Sequence, residues 1–259
     1  MNLGRLIRRR GFTLVELMAV IATIAILAGL LLPVLNKAKI KAQRISCTSN
    51  LHQLGYAWKM YSEENNSYLV ESYPTNNSNA WVFGDMTIAT QATNAALIEQ
   101  GKLYPFCQST PTYHCPADKG VLIGGQITAS KRSYSMNCFM GARDPSLDNI
   151  PSTAIGYVPF FSKDSDVPQP SQMWVMLDED ERSIDDGFFK CDPTGNVWFD
   201  FPAISAHRHN YSFPLTFADG HTDVWRVTDS RSMALARKCS EQSGNYDLSR
   251  LASATTVPR

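Results

Sequence analysis

The strongest constraint in this sequence is an apolar run near its N-terminus. It extends from Phe12 to Leu32 and contains one ionisable side chain, Glu16. A helix rises about 1.5 Å per residue, so a run of this length can cross a hydrocarbon core about 30 Å thick. The sequence therefore predicts a membrane-spanning helix, with Pro33 directly after the run.

Glu16 is the exception within this run and calls for a physical reason. A carboxylate inside a membrane span costs roughly 2.5–3.5 kcal/mol on insertion scales, so its presence suggests a function. The segment itself offers no cationic side chain. A cut between Gly11 and Phe12 would create an amine at Phe12, with which Glu16 could pair in its own chain or in a neighbouring parallel helix.

The six residues Gly-Phe-Thr-Leu-Val-Glu at 11–16 follow a short arginine-rich leader. Together with the apolar helix and Pro33, they resemble the N-terminus of a type IV prepilin or type II secretion pseudopilin. This resemblance implies cleavage after Gly11 by prepilin peptidase, N-methylation of Phe12, and assembly into a filament in which Glu16 neutralises a neighbour's N-terminus. An ordinary signal peptide or single-pass anchor is the alternative, and neither explains Glu16.

Size and charge limit the remaining options. The chain has 259 residues with 24 basic and 24 acidic side chains, which leaves room for one sizeable domain beyond the anchor. Without the arginines of the leader the balance becomes acidic, so nucleic acid is not expected as a partner. Cationic residues lie on both sides of the span, so loop charges do not set the orientation. The resemblance implies the bacterial inner membrane, a single pass, a cytoplasmic N-terminus and a periplasmic head.

The pattern beyond Pro33 becomes amphipathic, with apolar residues recurring at intervals of three or four. We therefore expect one helix with a membrane half at 12–33, a kink at Pro33 and an amphipathic half at 34–63, after a leader at 1–11. The head follows at 64–259. The predicted fold class is α+β and pilin-like, with the long N-terminal helix packed on an antiparallel β-sheet that carries irregular insertions.

The C-terminal part contains a hairpin pattern at 209–227. Alternating apolar residues precede and follow an Asp-Gly step at Asp219 and Gly220, which predicts a tight turn between two strands. His209 lies ten residues before Asp219, and this H-x9-DG pattern resembles the C-terminal domain of large prepilin-like proteins. We expect a structural role in which His209 hydrogen-bonds Asp219 or the turn backbone. Short blocks at 47–55, 115–116, 133–137 and 170–171 also resemble that family.

The sequence contains an even number of cysteines, which is compatible with an oxidising compartment and predicts disulfides. Six cysteines allow 15 full pairings, so the connectivity stays open. A zinc site made by Cys107, His114, Cys115 and Asp118 is the alternative, but its spacing matches no CxxC motif. The candidate disulfide cysteines are Cys47, Cys107, Cys115, Cys138, Cys191 and Cys239.

An acidic stretch begins at Asp178 and suggests calcium, which prefers oxygen ligands. The candidate ligands are Asp178, Asp180 and Asp185, although the stretch lacks the residue order of an EF-hand and a solvated acidic loop is the alternative. No other cofactor is expected.

Several histidines and aspartates near the hairpin raise a metal or catalytic alternative. Side chains of opposite parity on a strand point to opposite faces, so they are not expected to converge. No nucleophile elbow, phosphate loop or zincin motif occurs in the sequence. No enzymatic activity is predicted, and no metal site is predicted at the hairpin. The residues concerned are His207, His209, Asp219, His221 and Asp223.

The sequence thus predicts a structural subunit of a type II secretion pseudopilus or type IV pilus-like fibre. Its expected partners are prepilin peptidase and other pilin-like subunits. The alternative is a membrane-anchored envelope protein whose head binds a ligand such as glycan through exposed Trp81, Trp198 or Trp225.

Overall fold

A computed structural model describes residues 12–73, 79–141, 160–236 and 238–256. The predicted leader, including Gly11, lies outside the described residues. The chain divides into two compact units, Met1–Lys39 and Ile40–Arg259. In its described part, the first unit consists of the beginning of a long helix. The second unit contains the rest of that helix and a head rich in strands.

Helix α1 (Leu14–Glu64) is 51 residues long, which confirms the predicted long N-terminal helix. As far as Lys39 its side chains are exposed, including a dense series of leucine, isoleucine and valine residues. Apolar side chains are normally withdrawn from water. By length and composition, α1 is able to cross a membrane. It continues through Pro33, and a kink there stays a prediction.

In the second unit, α1 turns one stripe of side chains inward, from Cys47 to Ser62. The other helices are short: α2 (Ala89–Ala92), α3 (Ala96–Glu99), α4 (Tyr104–Cys107), α5 (Ser230–Met233) and α6 (Tyr246–Ser253). The strands are β1 (Val121–Ile123), β2 (Gln126–Thr128), β3 (Tyr134–Asn137), β4 (Trp174–Asp178), β5 (Phe188–Phe189), β6 (Val197–Trp198), β7 (Ser212–Phe217), β8 (Thr222–Arg226) and β9 (Ser240–Glu241).

The main sheet has five strands in the order β5-β3-β4-β7-β8. Three of its four neighbouring pairs are antiparallel, but β3 and β5 run parallel, with Met136 opposite Phe188. The fold is therefore α+β as predicted, and the largely antiparallel sheet contains one parallel pair, β3 with β5. The parallel pair arises because a long irregular connection, not a hairpin, leads to β5. Two small sheets pair β1 with β2 and β6 with β9.

The three inner strands of this sheet, β3, β4 and β7, are buried on both faces. One face packs its apolar side chains against Leu248 and Leu251 of α6. Successive side chains of a strand alternate, so Thr216 of β7 points to the other face. There it meets α1 so closely that a Cβ atom on Gly55 would lie 2.6 Å from its hydroxyl oxygen. Leu54, in the same part of α1, belongs to the hydrophobic cluster on that side.

Strands β7 and β8 form the predicted hairpin, in which Phe213 pairs with Trp225. The turn lies at Asp219 and Gly220, as expected. Gly220 has a φ of +94°, in the region that favours glycine. Its N–H donates to the carbonyl of Phe217 at 2.9 Å and closes the turn. The residues of the turn and of its two flanking strands therefore determine the structure of this hairpin.

Candidate functional site

The start of α1 holds Glu16 in a local arrangement that the sequence interpretation did not consider. Its carboxylate accepts hydrogen bonds from the backbone N–H of Thr13 at 2.9 Å and from the Thr13 hydroxyl at 2.7 Å. In return, the N–H of Glu16 donates to that hydroxyl oxygen at 3.3 Å. This reciprocal pattern is a capping box, which satisfies free N–H groups at a helix start. The neighbouring Phe12 is exposed.

A second group of side chains converges inside the head. Nε2 of His209 lies 3.1 Å from Sγ of Cys115 and 3.2 Å from Oδ2 of Asp178. Sγ of Cys47 lies 3.5 Å from the same oxygen of Asp178. We call these four residues the buried cluster. Their ligand atoms all lie within 4.8 Å of one another, and the residues are fully shielded from solvent.

Three members of the buried cluster are positioned by the elements on which they lie or which precede them. Cys47 lies on the inward stripe of α1, where the hydroxyl of Tyr134 donates to its sulfur at 3.2 Å. Asp178 is the last residue of β4. Cys115 follows a short 3-10 turn, and its N–H donates to the hydroxyl of Ser133 at 3.0 Å. A helix and a strand thus hold Cys47 and Asp178, and a hydrogen bond to Ser133 holds the backbone of Cys115.

The backbone at His209 is unusual. His209, Asn210 and Tyr211 have φ values of 58°, 55° and 56°, three consecutive non-glycine residues in the left-handed region. Such residues carry a conformational cost of about 1–3 kcal/mol each, and they persist only where surrounding contacts hold them. This strained turn directly precedes β7 and directs the imidazole into the buried cluster.

The groups of the buried cluster shift one another's pKa. Burial raises the pKa of the Cys47 thiol well above its ordinary value. Burial also acts to raise the pKa of Cys115. The hydrogen bonds with Cys47 and His209 and the positive charge of Arg208 outweigh burial, so the pKa of Cys115 is lowered to about 6. Burial acts to lower the pKa of His209, and its hydrogen bond to Asp178 outweighs that effect and raises it to about 9.

Arg208 lies beside the buried cluster and is itself fully buried. Its Nη2 atom is 2.6 Å from Oδ1 of Asp178 and 3.3 Å from Oδ2 of Asp118. Its Nη1 atom donates to Oε2 of Glu181 at 2.9 Å. Asp178 therefore uses one carboxylate oxygen for the guanidinium and presents the other to the buried cluster.

The candidate calcium ligands do not converge. Strand β4 ends at Asp178, and the turns that follow send the carboxylates in different directions, each to its own cation. The pairs are Asp178 with Arg208, Asp180 with Arg182, and Asp185 with Lys238. These three residues consequently form no calcium site in the structure.

The predicted hydrogen bond between His209 and Asp219 is wrong. Oδ1 of Asp219 instead lies 2.6 Å from Nδ1 of His221, on the exposed turn of the hairpin. Asp223 accepts from the indole N–H of Trp225 at 3.0 Å. The strained turn before β7 carries His209 away from the hairpin tip, so the histidines and aspartates of this region do not form one site.

The expected disulfides are also wrong, because all six cysteines are free. Cys47 and Cys115 face the imidazole and carboxylate of the buried cluster. The thiol of Cys107 donates to the hydroxyl of Tyr113 at 3.5 Å, and Cys239 is exposed. The buried thiols Cys138 and Cys191 are free as well. Of the alternative zinc ligands Cys107, His114, Cys115 and Asp118, only Cys115 belongs to the buried cluster.

The tryptophans proposed for glycan binding are not on the surface. Trp81, Trp198 and Trp225 are 0%, 1% and 8% exposed. Trp81 stacks on Tyr113, and its indole N–H donates to the carbonyl of Gly187 at 2.7 Å. These rings therefore fill the core and offer no sugar platform.

Comparison with known proteins identifies the N-terminal segment. Residues 6–32 match the family model described as the prokaryotic N-terminal methylation motif. The N-terminus of this chain is prepilin-like. The prepilin-like segment is similar to type II secretion system core protein G of Pectobacterium carotovorum, with 44% identity over 61 residues. It is also 46% identical over 59 residues to the type IV wide pilus major component PilA4 of Thermus thermophilus.

These similarities cover a limited part of the chain. The match to the Pectobacterium protein spans 24% of this chain and 39% of that protein, and the match to the Thermus protein spans 23% and 45%. The chain thus covers less than half the length of these relatives. No solved structure matches it significantly. The likeness of 209–227 to the H-x9-DG domain stays a prediction.

Proposed function

We propose that the chain is a pilin-like subunit of a type II secretion pseudopilus or a type IV pilus-like fibre. The observation that carries this proposal is the prepilin-like segment at residues 6–32, which continues into the exposed apolar part of α1. Prepilin peptidase cleaves between Gly11 and Phe12, and Phe12 is then N-methylated. Gly11 lies outside the described residues, so this step rests on the sequence match.

In this proposal the chain lies in the bacterial inner membrane. Residues 1–11 are the leader on the cytoplasmic side, 12–33 cross the membrane once, and 34–63 and 64–259 form the amphipathic half of α1 and a periplasmic head. The partners are prepilin peptidase and other pilin-like subunits, and no enzymatic activity is assigned. The two relatives, a secretion-system core protein and a pilus component, support this role. The glycan alternative is not retained, because its tryptophans are buried.

Glu16 has two physical roles that an experiment must separate. In the structure it caps α1 through Thr13. In a fibre it would also pair with the methylated amine of Phe12 from a neighbouring subunit, as a charge-assisted hydrogen bond inside lipid. Glutamine can replace glutamate in a capping box but carries no charge. Glu16→Gln therefore keeps the first role and removes the second.

We predict that Glu16→Gln and Glu16→Val both enter the membrane and lose the leader, since neither adds charge to the span. Both should be incorporated into fibres at a level reduced by at least about tenfold, the effect of roughly 1.4 kcal/mol of lost pairing. The measurement is recovery of the subunit in sheared or crosslinked envelope fractions at equal expression. N-terminal mass analysis of the same samples should show N-methyl-Phe12.

Two results would contradict the proposal in different ways. Retention of Met1, or cleavage beyond Leu32, would show that the prepilin-like segment is not processed as one. If Glu16→Gln entered fibres at the wild-type level while Glu16→Val did not, the role of Glu16 would be helix capping alone. A Gly11→Val variant serves as the control for processing, because it should retain the leader and stay out of fibres.

A further inference from the structure

We propose that Cys47, Cys115, Asp178 and His209 form a structural zinc site in the head. Two thiolates, one imidazole and one carboxylate are a ligand set that suits Zn²⁺, whereas calcium and magnesium prefer oxygen alone. The four residues come from separated parts of the sequence, with 131 positions between Cys47 and Asp178 and 94 between Cys115 and His209. This proposal does not depend on the function proposed above.

Three distances within the buried cluster lie close to those around a tetrahedral ion. With Zn–S bonds of about 2.3 Å and Zn–N or Zn–O bonds of about 2.0–2.1 Å, neighbouring ligand atoms lie about 3.3–3.8 Å apart. The contacts of His209 Nε2 with Cys115 Sγ and Asp178 Oδ2 are 3.1 and 3.2 Å, and that of Cys47 Sγ with the same oxygen is 3.5 Å. An outward shift of a few tenths of an ångström at each atom opens the centre for the ion.

A catalytic arrangement of cysteine, histidine and aspartate explains the same residues less well. In such a triad the cysteine and the carboxylate contact different nitrogens of the imidazole. Here Cys115 and Asp178 both contact Nε2 of His209, and Nδ1 has no hydrogen-bond partner among the residues that the structure describes. All four members of the buried cluster are shielded from solvent, so no substrate reaches the sulfur. Closed four-ligand sites of this kind are structural.

The surroundings support two of the four ligands. Arg208 holds Oδ1 of Asp178, which leaves Oδ2 free for the ion and fixes the carboxylate, as outer groups do at metal centres. The Tyr134 hydroxyl donates to the sulfur of Cys47. Two thiolates and a carboxylate exceed the charge of Zn²⁺ by one, and the Arg208 guanidinium, which also pairs with Asp118 and Glu181, offsets part of this negative charge. Cysteines that are still protonated release their protons to solvent when the ion binds.

The proposed ion has a consequence for cysteine chemistry. All six cysteines of this chain are free in the structure. Bound zinc occupies the lone pairs of Cys47 and Cys115 and fixes each sulfur beside a nitrogen or oxygen ligand. It would thereby protect the two thiols from pairing with each other, and it would link α1 to β4 and to the strained turn before β7.

The test uses the full-length chain purified in mild detergent. Zinc is measured by mass spectrometry of the metal after dialysis against a metal-free buffer. We expect about one zinc per chain in the wild type and in Cys107→Ser, and about a tenth or less in Cys115→Ser and His209→Gln. Cys107→Ser is the matched control, because Cys107 is a free cysteine outside the buried cluster.

A second measurement on the wild type guards against variants that fail to fold. After removal of zinc with a chelator, the protein is titrated with Co²⁺. A tetrahedral site with two cysteines gives thiolate-to-cobalt charge-transfer absorption, and Cys47→Ser should lose most of it, since one of the four ligands is removed. The same chelation should lower the melting temperature, and Zn²⁺ but not Ca²⁺ should restore it.

Three outcomes would overturn the proposal. The first is a wild-type protein that holds no zinc and shows no thiolate–cobalt absorption. The second is zinc content in Cys115→Ser equal to that of Cys107→Ser. The third is a disulfide between Cys47 and Cys115, found by peptide mapping of the native protein alkylated without reductant.

Discussion

Arg208 shows how strongly single residues determine the interior of this head. Its guanidinium is fully buried and faces carboxylates of Asp118, Asp178 and Glu181. A buried charge is tolerated when partners surround it, and removal of one partner leaves the others without compensation. The arginine stands one residue before His209, so it anchors the strained turn as well as Asp178.

We predict that Arg208→Met lowers the free energy of unfolding by about 3–5 kcal/mol, because it leaves buried carboxylates unpaired. Chemical denaturation followed by tryptophan fluorescence provides the measurement. Arg231→Met is the matched control, since Arg231 pairs with Asp229 on the exposed surface and should change stability little. Equal stability of the two variants would show that the charges around Arg208 are compensated by solvent.

At the scale of elements, sequence patterns predicted those helices and strands that form through interactions between nearby residues. The apolar run and its amphipathic continuation predicted helix α1, and the alternation of apolar residues around Asp219 and Gly220 predicted the hairpin of β7 and β8. Strand β5 has two residues and carries no usable period, so its parallel pairing with β3 had no local signal. The same holds for the packing of α6, which depends on partners far away in the sequence.

The approach of α1 to β7 at Gly55 gives a prediction for one element pair. Alanine is favoured over glycine inside a helix by up to about 1 kcal/mol. At Gly55, however, the added Cβ atom would lie 2.6 Å from the hydroxyl oxygen of Thr216. We therefore expect Gly55→Ala to destabilise the head by about 1–2 kcal/mol, within the usual cost of overpacking. Thermal or chemical unfolding measures this change.

A double-mutant cycle distinguishes this clash from a general effect on the helix. Thr216→Ala removes the hydroxyl, so the double variant with Gly55→Ala should be more stable than the sum of the single changes by at least about 0.5 kcal/mol. Gly29→Ala is the control, because nothing lies within 4 Å of a Cβ atom at Gly29. Strict additivity in the cycle would show that Gly55 and Thr216 do not meet.

At the scale of the whole molecule, the buried cluster shows where sequence reasoning ends. The sequence interpretation singled out all four residues, but it assigned Cys47 and Cys115 to disulfides, Asp178 to calcium and His209 to the hairpin. The disulfides were inferred from the number of cysteines, and the other two assignments from neighbours in the sequence. The four side chains meet only after α1, β4 and the turn before β7 have packed. Convergence over such separations leaves no spacing motif in one sequence.

The sheet of the head is the common core of two hydrophobic clusters, and this arrangement predicts how the head unfolds. Strand β4 contributes Val175 to the cluster on the side of α1 and Leu177 to the cluster on the side of α6. Because both clusters include side chains of the same strand, loss of one is expected to weaken the other. The C-terminal end reinforces the link, since Thr255 accepts a hydrogen bond from the indole of Trp174 at 2.9 Å.

We therefore predict that Leu251→Ala, in α6, destabilises the whole head by about 2–5 kcal/mol, the usual cost of a leucine cavity in a core. Tyr246→Ala on the same helix is the control, because Tyr246 is exposed and its loss should stay within about 0.5 kcal/mol. Unfolding monitored by circular dichroism and by limited proteolysis should show one transition that includes the α1 side. If Leu251→Ala instead exposed only α6 to protease while the rest of the head resisted, the two faces of the sheet would be independent, and the shared strand β4 would not couple them.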